Sequence, residues 1–303
     1  MTTGTYYFLK PLIPRWLQIS IRRVVARRRL RSCSDVWPID LKSAGPPKCW
    51  SGWPDGKQFA LVLTHDVETA RGQERCRELM RLESALGFRS SFSFVPERYS
   101  VSSQLRRSLT DQGFEVGVHG LRHDGKLYKS REIFLSRSTR INHYLKEWNA
   151  VGFRSPSMQH NLEWIHDLHI TYDASTFDTD PFEPQPEGMR TIFPFFIPEN
   201  GGTKGYVELP YTLPQDFTLF VLMRATNIEI WKKKLDWIAK NNGMALLITH
   251  PDYMNFGGGK SKMDEYPARY YEEFLEYVLD RYGGLFWHPL PREMARHFAP
   301  TCA

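Results

Sequence analysis

Cysteine is scarce and scattered. Only four occur in 303 residues, Cys33, Cys49, Cys76 and Cys302, and none belongs to a CxxC pair. Such spacing excludes the disulfide framework of a small secreted domain and the ligand set of a zinc ribbon, so a reducing compartment is expected. There is no run of 18 apolar residues, and hence no membrane-spanning helix is predicted. The N-terminal stretch has neither the uninterrupted hydrophobic segment nor the small-residue cleavage site of a secretory signal, which makes a cytoplasmic protein the default expectation. Acids are missing altogether from residues 1 to 32, which hold Lys10, Arg15, Arg22, Arg23, Arg27, Arg28, Arg29 and Arg31. This arm carries +8 while the whole chain carries +6, so the rest is slightly acidic, at −2. The basic excess is local, and no nucleic-acid partner is expected of the domain. Internal repeats are not visible, nor is any low-complexity tract beyond the arm.

What is present is a hydrophobic fraction of 41%, enough for a large core. Two parts are distinguished: a basic arm with a Pro/Gly/Trp-rich linker over residues 1–57, and a catalytic domain over residues 58–303. Within the arm, residues 16 to 30 can form a helix with Trp16, Ile19, Val24 and Val25 set among arginines. Two readings follow. The helix could lie on an anionic membrane surface, each near-surface Arg adding about 1 kcal/mol, giving peripheral contact at the inner face of the membrane. Alternatively it packs on its own domain with the arginines solvated.

From residue 58 onward, strand and helix signals alternate, the mark of βα units around a parallel sheet. Candidate strands are FALVLTH, FRSSFSFV, FEVGVH, AVGFRS, HITYDAS, MALLITH and LFWHPL, with helices expected over residues 71–86, 131–148, 227–242 and 267–282. Residues 178 to 218 break this rhythm with many prolines and two short β-like runs, and read as a hairpin-bearing insertion. About seven βα units in some 240 residues suit a single barrel-like domain, whose chemistry belongs at the carboxyl ends of its strands.

Four of those ends carry reactive groups. The first strand delivers Asp66 and Glu68, the third His119 and His123, the fourth Arg154, and MALLITH delivers His250. Histidines four apart can face one metal if the chain coils after the strand, and Gly120 eases that turn. A carboxylate from the neighbouring strand would complete a His, His, carboxylate set with positions left for water, and a water so bound titrates near pH ~7 instead of about 15.7. Asp66 and Glu68 point to the same side of an extended strand, with Val67 turned to the barrel wall. Either acid can supply that carboxylate. His65 alternates away and is left out of the set.

The ordered series LTHDVE, HGLRH, GFRSP, YDAS and LLITH, spanning about residues 58 to 298, resembles the motifs of the polysaccharide deacetylases, carbohydrate esterase family 4. That resemblance implies a distorted (β/α) barrel of about seven strands holding a divalent metal, zinc first with cobalt, nickel or manganese as alternatives, and hydrolysis of an N-acyl group, foremost N-acetyl, from an amino sugar. It further implies Asp66 as base, Glu68, His119 and His123 as ligands, Arg154 holding the base by ion pairing, and His250 protonating the leaving amine. Asp173 is implied to orient His250, with Asp178 as the alternative because the family's Asp-Trp is absent. The chain also departs from the usual pair of adjacent aspartates, having Val67 in the second place; its Asp-x-acid pattern, followed by Thr69, Arg71 and Gly72, is similar to that of the lipid-linked aminoarabinose deformylases. A lipid- or nucleotide-linked intermediate of surface polysaccharide synthesis is therefore the expected substrate. Other readings are a catalytically inactive carbohydrate-binding relative and a hydrolase of a small non-sugar amide.

Two further features are weighed. FGGGKS, residues 256–261, lacks the earlier glycine of a phosphate-binding loop, where Met254 stands, and is read as a lid beside His250. Trp50, Trp53, Phe177, Phe182, Tyr253 and Phe256 lie on expected loops, where aromatic faces could stack on sugar rings.

Overall fold

A computed structural model describes residues 14–48 and 50–302. The start of the arm, including Lys10, and Cys49 lie outside the described residues. Among the described residues a long helix, α1 (Arg15–Leu30), comes first and is followed by chain with two short 3-10 turns, Leu41–Ala44 and Pro54–Gly56, leading to β1 (Phe59–Val67). Then α2 (Ala70–Ala85), β2 (Ser91–Phe94), α3 (Ser103–Asp111), β3 (Glu115–His119), α4 (Arg131–Trp148), β4 (Gly152–Arg154) and β5 (Tyr172–Asp173) alternate. The hairpin β6 (Phe195–Pro198) and β7 (Gly205–Glu208) precedes a π-helical turn, Phe217–Leu222, and α5 (Glu229–Lys240). The chain ends with β8 (Met244–Thr249), the short pair β9 (Met254–Asn255) and β10 (Tyr266–Pro267), α6 (Arg269–Tyr282), β11 (Phe286–Trp287) and α7 (Pro291–Cys302).

Nine strands form one sheet in the order β11-β1-β2-β3-β4-β5-β7-β6, with β8 on the other edge of β1. All pairings are parallel except that of β6 with β7. An isolated parallel bridge between Leu213 and Leu247 returns the sheet to β8 and curls it into a distorted barrel. The count is nine and not seven because the hairpin joins the main sheet through β7 and does not stand off as a separate insertion. β1 is buried along its whole length, as expected of a parallel strand covered on both faces, and this is why FALVL reads as an unbroken apolar run. Helices cover the outside through single stripes: α2 buries Cys76, Leu79 and Met80, and α5 buries Trp231, Leu235 and Ile238.

Residues before the barrel belong to the same core. Ile19 and Ala26 of α1, then Cys33, Trp37 and Trp53, are buried in it. Arg23 pins α1 in place by donating to the carbonyls of Val221 at 2.9 Å and Met263 at 2.8 Å. Among the described residues no helix is long and apolar enough to cross a membrane.

Candidate active site

Parallel pairing sends the carboxyl ends of β1, β3, β4 and β8 to one end of the barrel, and their polar residues meet there around a cavity of about 920 Å³. His119 ends β3 opposite Arg154 of β4, and its Nδ1 lies 3.1 Å from the Arg154 carbonyl oxygen. A carbonyl only accepts, so Nδ1 carries the proton and Nε2 keeps its lone pair for the cavity. Burial pushes the His119 pKa down to about 4, so the ring is neutral, as a ligand must be.

The chain then reverses. Gly120 and His123 both take left-handed conformations, with φ of 61° and 54°. A Cβ on Gly120 would come within 2.5 Å of Pro156 Cδ, so the glycine of HGLRH and the proline of GFRSP depend on each other's shape. His123 Nε2 arrives 2.9 Å from Glu68 Oε1, yet it is buried without an aligned hydrogen-bond partner. Two donor atoms that approach so closely without bonding each other converge on a common point. Glu68, His119 and His123 each offer a ligand atom, all within 4.8 Å of one another. This donor set, with an orphaned imidazole nitrogen, fits a divalent cation. Burial alone would raise the Glu68 carboxyl, but His123, His250 and Arg98 hold it well below the usual range.

Asp66 stands beside this set, its Oδ2 3.9 Å from His119 Nε2. Its Oδ1 accepts from Arg154 Nη1 at 3.0 Å, and the buried guanidinium also donates to Thr64 Oγ1 and the Ala174 carbonyl, both at 2.9 Å. Against the upward pull of burial, Arg154, then His119 and His250, keep Asp66 ionised. Val67 is fully buried and His65 points the other way, to Thr249 at 2.7 Å and Glu83 at 2.8 Å, the alternation a strand imposes.

The acid that orients His250 is Asp216, not Asp173. His250 Nδ1 lies 2.7 Å from Asp216 Oδ1, the His250 backbone N–H donates to Oδ2 at 2.7 Å, and the Tyr266 hydroxyl donates to the same oxygen at 2.9 Å. Burial would lower the His250 pKa, but the Asp216 carboxylate raises it to about 10, so the ring is cationic at neutral pH. Asp173 is tied to Ser175 at 2.6 Å and lies in register with Glu208 on β7, where burial raises both carboxyls. Asp178, the alternative, is engaged by buried Lys234. Neither has a hydrogen bond or ion pair to His250 among the described residues. The only sequence signal for Asp216 is an acid directly before the apolar run FTLFVL, in the cap position that accepts from Phe217 N–H.

Three further contributors lack a motif. Asp252 accepts from the Glu68 N–H at 2.9 Å and from the Thr69 hydroxyl, thereby fixing the turn that carries Glu68. It reaches that place because residue 72 is glycine: a Cβ there would sit 2.1 Å from Asp252 Oδ2. Tyr253 donates to Glu68 Oε2 at 2.9 Å. The third is α1, whose Arg15, Gln18, Arg22, Val25 and Arg29 form one wall of the cavity. Of the aromatics, Phe182 and Tyr253 line the cavity with Phe217, whereas Trp53 and Phe177 are buried in the core. Residues 256–261 do not line it, so the lid reading gains nothing.

No family model matches the sequence, and no curated protein matches it. Solved structures do match in shape. A Mycobacterium smegmatis protein assigned to the polysaccharide deacetylases superposes with a TM-score of 0.63 at 20% identity, over 85% of this chain and 96% of its own. The Puue allantoinase gives 0.63 at 17% identity, over 88% and 98%, and a Pseudomonas aeruginosa PAO1 protein with the same deacetylase assignment gives 0.62 at 17%, over 87% and 98%. At this identity the likeness is one of architecture: the chain has the polysaccharide deacetylase fold.

Proposed function

We propose that the protein is a metal-dependent amide hydrolase that removes an N-acyl group, foremost N-acetyl, from an amino sugar. The observation that carries this reading is the convergence of Glu68, His119 and His123 beside two oppositely charged groups, anionic Asp66 and cationic His250. Glu68, His119 and His123 would hold the cation; when bound, zinc, cobalt, nickel or manganese supplies Lewis acidity that acidifies water and polarises a carbonyl. Asp66, kept ionised by Arg154, takes the proton of the attacking water. His250, kept protonated by Asp216, gives its proton to the departing amine nitrogen. The water oxygen becomes part of the carboxylate product, the C–N bond breaks, and the amine leaves with the proton from His250.

The division of labour between the two acids rests on their partners. One Asp66 oxygen is saturated by Arg154, a bond a base can keep throughout, while Glu68 Oε1 faces His123 without an aligned bond. Fold does not choose the substrate, since an allantoinase shares it. A sugar is supported by the motif series and by a cavity roomy enough for more than a small amide, with Phe182, Phe217 and Tyr253 in its walls. The test is metal content of the purified protein followed by acetate or formate release from N-acylated sugars. Stoichiometric divalent metal and acyl release are expected; no bound metal, and no release after adding zinc, cobalt, nickel or manganese, overturns the reading.

A further inference from the structure

The arm helix brings cations into the cavity without bringing their counter-ions. Arg15, Arg22 and Arg29 are seven residues apart, nearly two full turns, so they line up on the face of α1 that looks into the cavity. Successive members are about 10.5 Å apart along the axis. The row starts beside the metal-binding set, where Arg15 Nη2 lies 3.5 Å from the Tyr253 hydroxyl that donates to Glu68. In the middle, half-buried Arg22 sits over the Phe217 ring at 4.6 Å. The far end is Arg29, which donates to the Pro181 carbonyl at 2.7 Å. Arg98 and Lys126 add two cations from the barrel side.

Among the described residues none of these five has a carboxylate at ion-pair distance, although Arg15 feels Glu68 and Asp264, Arg98 feels Glu68 and Arg22 feels Glu183 at longer range; the acids around them have closer partners. Asp66 is held by Arg154, Asp124 by Arg137, and Asp264 by Arg71. Glu183 accepts from Gln215 and Tyr211, and burial with Asp180 nearby pushes its pKa up to about 8 against the opposing pull of Arg22, which weakens it as a counter-ion. A cation held by Glu68, His119 and His123 would only increase the positive excess. Guanidinium groups with no carboxylate at ion-pair distance, beside a reaction centre, are what an anionic part of the substrate requires, and arginine suits phosphate oxygens through its planar fork of donors. A single carboxylate would engage one arginine, whereas several cations around one cavity suit the higher charge of a phosphate or diphosphate, with Arg22 at the centre and its neighbours adding long-range attraction.

We infer that α1 is a phosphate-binding wall: Arg22, flanked by Arg15 and Arg29, binds a phosphate or diphosphate ester on the acylated sugar, so the substrate is an activated sugar and not a neutral glycan. This rests on the amide hydrolase reading for the sugar, but the anion site itself does not. The segment that looks like a tether in sequence is then a specificity element. The phosphates could be those of a nucleotide or of a lipid carrier, which share this chemistry.

The test is calorimetric binding of inorganic pyrophosphate, uridine diphosphate and farnesyl diphosphate to metal-free full-length protein, so that phosphate on a metal cannot be mistaken for the site. Pyrophosphate is expected to bind, and Arg22→Gln with Arg29→Gln to weaken it roughly 10- to 100-fold. Arg22→Lys should recover part of that loss, which guards against a folding defect. Arg27→Gln with Arg28→Gln, exposed and outside the cavity lining, should change nothing. Tighter binding of uridine diphosphate than pyrophosphate would assign a nucleotide, and tighter binding of farnesyl diphosphate a lipid. No pyrophosphate binding, or equal losses in the inward and outward pairs, overturns the inference. Zinc binding measured on the same variants separates the two readings: Arg22→Gln should leave it intact, and failure of zinc to bind the unaltered protein would remove the hydrolase reading while leaving the anion site.

Discussion

The cavity has two walls built on different principles. On the barrel side the groups proposed to react each have a partner at hydrogen-bond distance: Asp66 has Arg154, His250 has Asp216, and neutral His119 has the Arg154 carbonyl. On the α1 side the cations have an aromatic ring, a hydroxyl or a carbonyl, but no carboxylate among the described residues. Paired, buried groups are fixed in position and in protonation state, which is what proton transfer to and from a reacting amide requires. Unpaired, half-exposed guanidinium groups remain free to receive charge from outside. The proposed reading therefore gives chemistry to the barrel and recognition to the arm, and the comparison predicts how substitutions in each wall differ.

The largest effects should come from the barrel wall. His119→Ala should lose bound metal and lower turnover by about a thousandfold or more, read by elemental analysis and acyl release. Asp66→Asn should keep the metal and still lose roughly 10²- to 10⁴-fold in kcat, because only the proton acceptor is gone. Loss of metal from Asp66→Asn would exchange the roles of Asp66 and Glu68.

Next in size is the pH profile. His250 acts in its protonated form, and its pKa lies at about 10, so activity should persist through neutral pH and fall as pH rises through that value. Asp216→Asn removes the anion that raises it. The alkaline limb should move toward neutral pH, with the acid limb unchanged. A profile that does not move would show that Asp216 positions the π-helical turn and not the imidazole.

How much of this was legible beforehand follows from the kind of signal each residue leaves. Asp66, Glu68, His119, His123, Arg154 and His250 all follow apolar runs, and a buried parallel strand must be apolar until it emerges, so the change in polarity marks the site. Asp216 caps a short π-helical turn and Asp252 sits in a single 3-10 turn, both too brief for periodicity to forecast a side chain's direction, whereas Asp173 belongs to a motif that the family resemblance singles out. Gly72 could be seen in the sequence but not its purpose, which appears only once Asp252 is brought against it by a distant strand. The same holds for α1. Its amphipathic pattern announced a helix with a basic face, but a pattern cannot say whether that face meets a membrane, solvent or the chain's own cavity.

Gly72→Ala gives a stability effect of intermediate size. The new methyl would overlap Asp252 and deprive the Glu68 N–H and the Thr69 hydroxyl of their acceptor, at a cost of about 1–3 kcal/mol in chemical denaturation. Metal affinity should fall with it, since Glu68 is set by that turn; an unchanged affinity would free Glu68 from Asp252.

The smallest effect tests the arm by its attachment and not by its cavity charges. Arg23 faces neither substrate nor metal; it joins α1 to the domain through two carbonyls on separate segments. Both bonds lie at or near the surface, where a hydrogen bond contributes modestly, so Arg23→Met should leave the global unfolding midpoint nearly unchanged. What should change is how long α1 stays against the barrel. Protease cleavage within the arm should quicken, and KM should rise about two- to tenfold with kcat unaffected, because the proton-transfer groups do not depend on α1. A fall in kcat of the same size would mean that the arm shapes the reacting geometry itself, and the separation of chemistry from recognition would fail at the point where Arg15 approaches Tyr253 and, through it, Glu68.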